Sequence, residues 1–334
     1  ECAKMGSITD RALTLANEVA DAVVKKFGKG KYVGMYAYNL HSPPPNIQVH
    51  PNVIISIATA FIRGGYTVDQ LIDGWYKKGA TIGIREYYGV NVWDRDLPGN
   101  PKASGVKSLA QSIDDFYKKG ARFLSAESSD NWGPNGLGYY VASRVLWDTE
   151  EVKKVDELKN DFLEKMFGPA KDNMKEFYGL IDKDNKPLLT EDLIGRMYRS
   201  LAEAKKKTKD LAIQSRINDL ILYTRYVELF KKYSETRGEG HQQAFEDVIN
   251  FAYRIKNTMM VHSLALYRDL PARDKGVKVP EEAKWNVPEG KNPWKSTQPF
   301  TEEEMQKFLE QGISANKLID FKPVSFSTKF VPVS

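Results

Sequence analysis

The chain has 334 residues, of which 41% are hydrophobic, and this is enough apolar material for at least one large core. Its 49 Lys and Arg residues nearly balance 44 Asp and Glu residues, giving a formal net charge of +5. The opposite charges interleave along most of the sequence, so no basic arm or stripe is built for a phosphate backbone. This composition excludes a disordered or collagen-like chain, offers no membrane span and argues against nucleic-acid binding.

The sequence predicts neither a cofactor nor a metal. Cys2 is the only cysteine, so the chain can form no internal disulfide and no cysteine-based zinc site. Residues 28–31 follow a predicted helix, whereas a phosphate-binding loop must precede one. His50, His241 and His262 lack metal-ligand spacing. Because the chain starts at Glu1 without Met and without a leader, we expect a fragment that lacks its N-terminal part.

Residues 1–148 predict helices and strands that mostly alternate. Helical apolar spacing with capping and stop residues predicts helices over residues 9–27, 67–78 and 108–119. Apolar runs bounded by Gly or Pro predict strands near residues 32–38, 53–60, 81–87 and 122–127. Alternation of this kind is typical of parallel βα units.

An internal repeat of 41 residues lies within this region. Residues 75–80, Trp-Tyr-Lys-Lys-Gly-Ala, are echoed by Phe-Tyr-Lys-Lys-Gly-Ala at residues 116–121, and a glutamate, Glu86 or Glu127, stands seven residues beyond each glycine. Active sites of parallel barrels are built at the C-terminal ends of the strands, so these equivalent carboxylates predict a site there. The alternative is that the repeat reflects only shared helix-stop chemistry and that both glutamates are rim charges.

The chain changes character after Trp147. Residues 149–270 are charged and favour helix, with helices expected over residues 151–167, 170–181, 191–207, 209–234 and 240–268. Residues 271–334 predict a proline-rich extended strap up to residue 300, a short helix over 301–311 and the start of a β segment over 321–333.

Glycoside hydrolysis is the chemistry that two such glutamates fit. One carboxyl assists the leaving oxygen and a second acts as nucleophile or activates water, typically about 5 to 10 Å away. Neighbouring strand ends supply this range, so Glu86 and Glu127 are the candidate catalytic pair. Since side chains alternate along a strand, Glu86 and Arg85 cannot both face the barrel centre unless one lies past the strand end, and we expect Glu86 to face inward.

Aromatic and hydrogen-bonding residues around the two glutamates suit the faces and hydroxyls of sugars. At the end of the first strand, Asn39 could bind a hydroxyl and His41 could carry a proton, although His41 is alternatively a loop residue that satisfies backbone groups. The predicted substrate-binding residues are Tyr38, Asn39, His41, Arg85, Tyr88, Trp93, Asp94, Asp96, Asn131 and Trp132.

Three motifs carry a resemblance to a known family. They are Tyr-Ala-Tyr-Asn-Leu-His-Ser-Pro-Pro at residues 36–44, Glu-Tyr-Tyr-Gly at 86–89 with Trp-Asp-Arg-Asp-Leu-Pro at 93–98, and Ala-Glu-Ser-Ser-Asp-Asn-Trp-Gly at 126–133. With these motifs, nearly the whole chain resembles a bacterial domain-of-unknown-function family with a glycoside-hydrolase-like TIM barrel. More distantly, residues 131–148 are similar to the last barrel segment of the α-glucuronidases.

In that family, the early barrel strands come before the cysteine-rich stretch to which Cys2 corresponds. The resemblance therefore implies an α/β fold: the C-terminal half of a TIM (β/α)8-type barrel, with about four parallel strands, followed by a mainly α-helical domain. It also implies a secreted or periplasmic location, a carbohydrate substrate, and a missing N-terminal half of the barrel that could hold a catalytic residue. Without that half, we expect self-association.

Two functions follow from these observations. The first is a glycoside hydrolase that cleaves a plant or microbial polysaccharide, including one with uronic acids, whose carboxylate Arg85 could meet. The alternative is a non-catalytic carbohydrate-binding barrel, in which the same aromatic residues hold the glycan and both glutamates only hydrogen-bond hydroxyls.

Overall fold

A computed structural model describes residues 6–319 and shows an α/β fold with a four-stranded sheet. The strands are β1 (Val33–Asn39), β2 (Val53–Ile62), β3 (Thr81–Tyr87) and β4 (Phe123–Glu127). They pair in sequential order, and every neighbouring pair is parallel. The prediction of four parallel strands in one sheet is confirmed, whereas the β segment predicted over 321–333 lies outside the described residues.

Helices precede and connect the strands. They are α1 (Ile8–Phe27), α2 (Val68–Tyr76), the single turn α3 (Asn91–Asp94) and α4 (Val106–Lys118). Ser7 and Thr67 begin α1 and α2 with capping boxes, in which each hydroxyl accepts from a backbone N–H and a side chain three residues later bonds back. The predicted bounds of α1, α2 and α4 are nearly right.

Eight longer helices follow the sheet. They are α5 (Trp132–Trp147), α6 (Val155–Phe167), α7 (Lys171–Ile181), α8 (Glu191–Lys206), α9 (Leu211–Glu235), α10 (His241–Arg254), α11 (Ser263–Arg273) and α12 (Glu302–Ala315). The single helix predicted over 240–268 is wrong, because the chain turns between α10 and α11, where Met259 adopts a left-handed φ of 58°. Pro271 lies inside α11, so the extended strap begins later than predicted.

The two faces of the sheet have different environments. One face carries Ile55, Ile57, Ile82 and Ile84, which are buried in a cluster with residues of α1 and α2 such as Leu13, Leu71 and Trp75. The opposite face, here called the open face, carries the row Tyr36, Ser56, Gly83 and Phe123, paired in register across the four strands. Tyr36 and Phe123 are each 50% exposed, so within residues 6–319 the open face lacks the cover that the first face has.

A second apolar core joins the end of the sheet region to the helices that follow. It is one continuous cluster that runs from Tyr88 and helices α4 and α5 to Leu309 in α12. Helix α5 approaches its neighbours closely through glycine: an added Cβ at Gly138 would lie 1.7 Å from the carbonyl oxygen of Ala103. Within residues 6–319, no helix has both the length and the apolar character needed to cross a membrane.

Two glycines on one helix provide a matched test of this packing. Gly138→Ala should lower the free energy of unfolding by about 1–3 kcal/mol, because the new methyl group overlaps backbone that cannot rotate away. Gly136→Ala should raise it by about 0.5–1 kcal/mol, because the only contact of its Cβ is with Phe162 at 3.8 Å and alanine favours helix. Urea denaturation measures both, and equal effects of the two substitutions would contradict the close approach at Ala103.

Candidate functional site

Four aromatic side chains gather where the strands end. Phe61 lies between the others, with ring-centroid distances of 5.4 Å to Tyr38, 6.3 Å to Tyr87 and 5.6 Å to Trp93. Tyr87 and Trp93 are 5.2 Å apart. Phe61 and Trp93 are about half exposed, at 48% and 49%. This cluster, here called the aromatic platform, offers ring surface to a ligand at the C-terminal edge of the sheet.

An ion pair lies beside the aromatic platform. Arg85 Nη2 and Glu127 Oε2 are 2.6 Å apart, and the Glu127 side chain is 44% exposed. The Arg85 guanidinium also lies over the Tyr87 ring, 5.4 Å from its centroid. Tyr87 and Glu127 are paired in register, so Arg85, Tyr87 and Glu127 share the open face.

Glu86 lies on the opposite face and is 1% exposed. Thr59 Oγ1 and the Tyr87 N–H donate to its Oε1 at 2.5 and 2.9 Å, and Lys102 Nζ lies 2.7 Å from its Oε2. Both carboxylate oxygens are therefore engaged. A cleft of about 440 Å³ lies against this group and is also lined by Tyr87, Trp93 and Lys183.

The expectation that Glu86 and Glu127 face one cleft is therefore wrong. The sequence repeat has a period of 41 residues, but β3 and β4 pair with an offset of 40, so that Glu86 is level with Ala126 and Tyr87 with Glu127. A difference of one residue moves a side chain to the other face of a sheet. Arg85, and not Glu86, accompanies Glu127.

Four predicted sugar ligands are buried instead of presented to solvent. Asp96 and Asn131 are fully buried, Asn131 Nδ2 donates to Asp96 Oδ1 at 2.7 Å, and Asp94 accepts from the backbone N–H groups of Val90 and Asp96. Burial and the neighbouring Asp94 raise the pKa of Asp96. Tyr88 is 4% exposed within the second core. Asp96, Asn131 and Tyr88 support the loops of the site from within, whereas Asp94 is buried but also lines the cleft beside Glu86.

The remaining predicted residues do not come together in one site. Tyr38 belongs to the aromatic platform, while Asn39 Oδ1 accepts from Arg63 Nε at 3.0 Å and the His41 N–H donates to the Tyr38 carbonyl. Trp132, in contrast, lines a separate cavity between helices α5, α6, α7 and α9.

The list of predicted substrate-binding residues omits four residues of the site: Phe61, Tyr87, Thr59 and Lys102. Phe61 follows the predicted end of its strand and has a left-handed φ of 58°, which turns the chain where β2 ends. An aromatic residue at a strand end was the available signal for Phe61 and Tyr87. Lys102 begins a short 3-10 helix 16 residues beyond its partner Glu86, and no sequence pattern marks that contact. Within residues 6–319, no three His, Cys, Asp or Glu side chains group to hold a metal ion.

The chain belongs to a family described as a domain of unknown function, DUF4838, whose family model matches residues 2–179. The match includes the whole sheet and extends into α7. No curated protein and no solved structure matches the chain.

Asn131→Asp tests whether the pair it forms with Asp96 is a structural one. The substitution keeps the shape but sets a second buried carboxylate against Asp96, so the free energy of unfolding should fall by about 3 kcal/mol or more at pH 7. A shared buried site raises carboxyl pKa values above those of the unfolded chain, so stability should recover as pH falls through the raised values.

Asn160→Asp is the matched control, since Asn160 is exposed on α6. Chemical denaturation between pH 4 and pH 7 should show little change for this variant. A loss at Asn131 no larger than the loss at Asn160, or one that does not depend on pH, would contradict the structural role.

Proposed function

We propose that this member of the DUF4838 family acts on carbohydrate, with the aromatic platform holding sugar rings and Glu127 supplying a carboxylate beside them. The observation that carries the proposal is the position of the partly exposed Arg85–Glu127 ion pair next to Phe61, Tyr87 and Trp93. Apolar faces of sugars stack on aromatic rings, while charged side chains bind the hydroxyls around the ring edge.

The proposed reaction is hydrolysis of a glycosidic bond, in which Glu127 is one of the two carboxyl groups that the chemistry requires. Glu86 is a positioning residue in this proposal: its contacts with Thr59 and Lys102 fix the end of β3, and with it the direction of Arg85 and Tyr87. The second carboxyl then belongs to the part of the protein that covers the open face.

We further propose that the sheet is the C-terminal half of a (β/α)8-type barrel. Sequential parallel order, helices on one face and an uncovered opposite face support this arrangement. The N-terminal half of the barrel, or a second copy of the chain, would cover the open face and the unpaired edges of β1 and β4.

Binding without hydrolysis is the second candidate function. The observation that favours it is that Glu86, the expected catalytic partner of Glu127, lies on the other face with both oxygens engaged. Under this alternative, Glu127 and Arg85 bind hydroxyls or the carboxylate of a uronic acid, and no bond is cleaved.

Glu127→Gln in the full-length protein distinguishes hydrolysis from binding. On a panel of polysaccharides, we expect turnover to fall about 100-fold or more while glycan binding persists, since the amide keeps hydrogen bonding but loses the charge and the titrating group. Trp93→Ala should weaken glycan binding about tenfold, because stacking surface is lost. Turnover and affinity are followed by reducing-sugar release and calorimetry.

Two further variants are the controls for that experiment. Glu86→Gln should lower thermal stability, because Lys102 loses its buried anionic partner. Trp147→Ala removes an aromatic ring that is 91% exposed and distant in sequence from the platform, and it should change neither turnover nor affinity. Absence of turnover with retained glycan binding would favour the binding function, and unchanged binding by Trp93→Ala would reject the platform.

The exposed row of the open face predicts self-association of the 334-residue chain. Size-exclusion chromatography with light scattering should show dimers or larger species, because Tyr36 and Phe123 expose apolar surface along the uncovered sheet. Tyr36→Ser with Phe123→Ser should shift the chain toward monomer. Tyr117→Ser, at an exposed site on α4, should not. A cooperative monomer at all concentrations would contradict the half-barrel.

A further inference from the structure

The cavity beside Trp132 plays no part in the proposed carbohydrate site. It has a volume of about 480 Å³ and lies between α5, α6, α7 and α9. Aromatic and apolar side chains make up most of its lining: Trp132, Tyr139, Tyr140, Phe162, Met166, Phe167, Tyr178, Leu220 and Met260.

The aromatic rings of this cavity lie in two groups of contacting rings, here together called the aromatic wall. Ring centroids are 4.6 Å apart for Trp132 and Tyr139, 5.7 Å for Tyr140 and Phe162, and 6.0 Å for Phe162 and Tyr178. Trp132 is about half exposed, so the wall extends to the surface. A ligand can therefore reach ring surface without opening the core.

The hydroxyl groups of the tyrosines in this wall are committed to the protein. Tyr139 donates to Asn131 Oδ1 at 2.7 Å, Tyr140 to Asp161 Oδ2 at 2.6 Å and Tyr178 to the Gly133 carbonyl at 3.0 Å. These bonds fix the rings in place. They also use the donors that a sugar hydroxyl would otherwise meet.

Asp219 also lines the cavity, and its carboxylate differs from these hydroxyl groups in its hydrogen bonding. Across the described part of the chain, no donor or cation lies within hydrogen-bond or ion-pair distance of its carboxylate. Arg216, one helical turn away, instead donates to the Met166 carbonyl at 3.0 Å. Burial raises the pKa of Asp219 to about 6 from its ordinary 3.8, which reflects a charge that has lost water without gaining a partner.

We propose that this cavity binds a small organic amine, with the protonated nitrogen at Asp219 and an apolar body against the aromatic wall. A carboxylate without a partner attracts a cation, and the faces of Trp and Tyr add cation–π attraction. A sugar presents several hydroxyls to a lining that offers few free partners, so it would lose hydration without replacing its hydrogen bonds. The charge and the lining therefore select a ligand with one cationic group.

The test uses three probes that share a phenylpropyl body: 3-phenylpropylamine, neutral 3-phenylpropanol and anionic 3-phenylpropionate. In calorimetry at pH 7.5, the amine should bind the wild-type chain about tenfold more tightly than the alcohol, which corresponds to about 1.4 kcal/mol. Asp219→Asn should abolish this preference. The substitution breaks no hydrogen bond among residues 6–319, and thermal unfolding checks that the variant is folded.

Two other variants test the roles of the charge and of the cavity volume separately. Asp172→Asn removes the same charge from an exposed position on α7 and should leave amine affinity within about twofold, since exposed charges are screened. Gly136→Leu, whose Cβ has only a 3.8 Å contact with Phe162, directs a side chain into the cavity and should weaken amine and alcohol alike.

Several outcomes would overturn the proposal. They are equal affinity of the amine and the alcohol, a preference that survives Asp219→Asn, tighter binding of the propionate, and binding of none of the three probes at millimolar concentration. The cavity is separate from the aromatic platform, so these results leave the carbohydrate proposal untouched.

Discussion

The buried carboxylate of Asp96 is the contact on which the arrangement of the sheet loops and the helices depends. It accepts hydrogen bonds from Asn91 Nδ2, Asn131 Nδ2 and the His262 backbone N–H. The adjacent backbone is tied as well, because Tyr223 and Tyr226 of α9 donate to the carbonyls of Asp96 and Arg95. A fully buried group with this many partners leaves the loop after β3 little freedom.

The junction at Asp96 contains strained backbone. Arg95 and Asp96 both have a φ of 53°, a left-handed conformation that costs an L-residue of this kind on the order of 1 kcal/mol or more. The hydrogen bonds to the carboxylate and the two carbonyls offset it, since a lost bond at a buried polar group costs about 1–3 kcal/mol. The junction holds α3, and with it Trp93, against the end of the sheet. The geometry of the aromatic platform therefore depends on hydrogen bonds that its own four residues do not make.

The sequence was informative wherever the signal was local. The four parallel strands and the cap of α2 at Thr67 could be predicted from patterns within a few residues. The failures concern contacts between distant segments. Asp96 and Asn131 have the residue types of sugar ligands, but their partners in α9 and before α11 make them structural. Gly133 and Gly138 argue against helix by propensity, yet both lie in α5, where an added Cβ would overlap Met260 or the Ala103 backbone.

The junction at Asp96 also sets the size of the unit that can fold. Its partners lie 35 residues away at Asn131, but 127 and 166 residues away at Tyr223 and His262. Closing such long loops costs conformational entropy, so these bonds depend on the packing of the helices that carry the distant donors. The family match stops at residue 179, before α8, and a chain cut there would retain the carboxylate while losing the donors of α9 and residue 262. We therefore expect the cooperative unit of folding to be longer than the region matched by the family model.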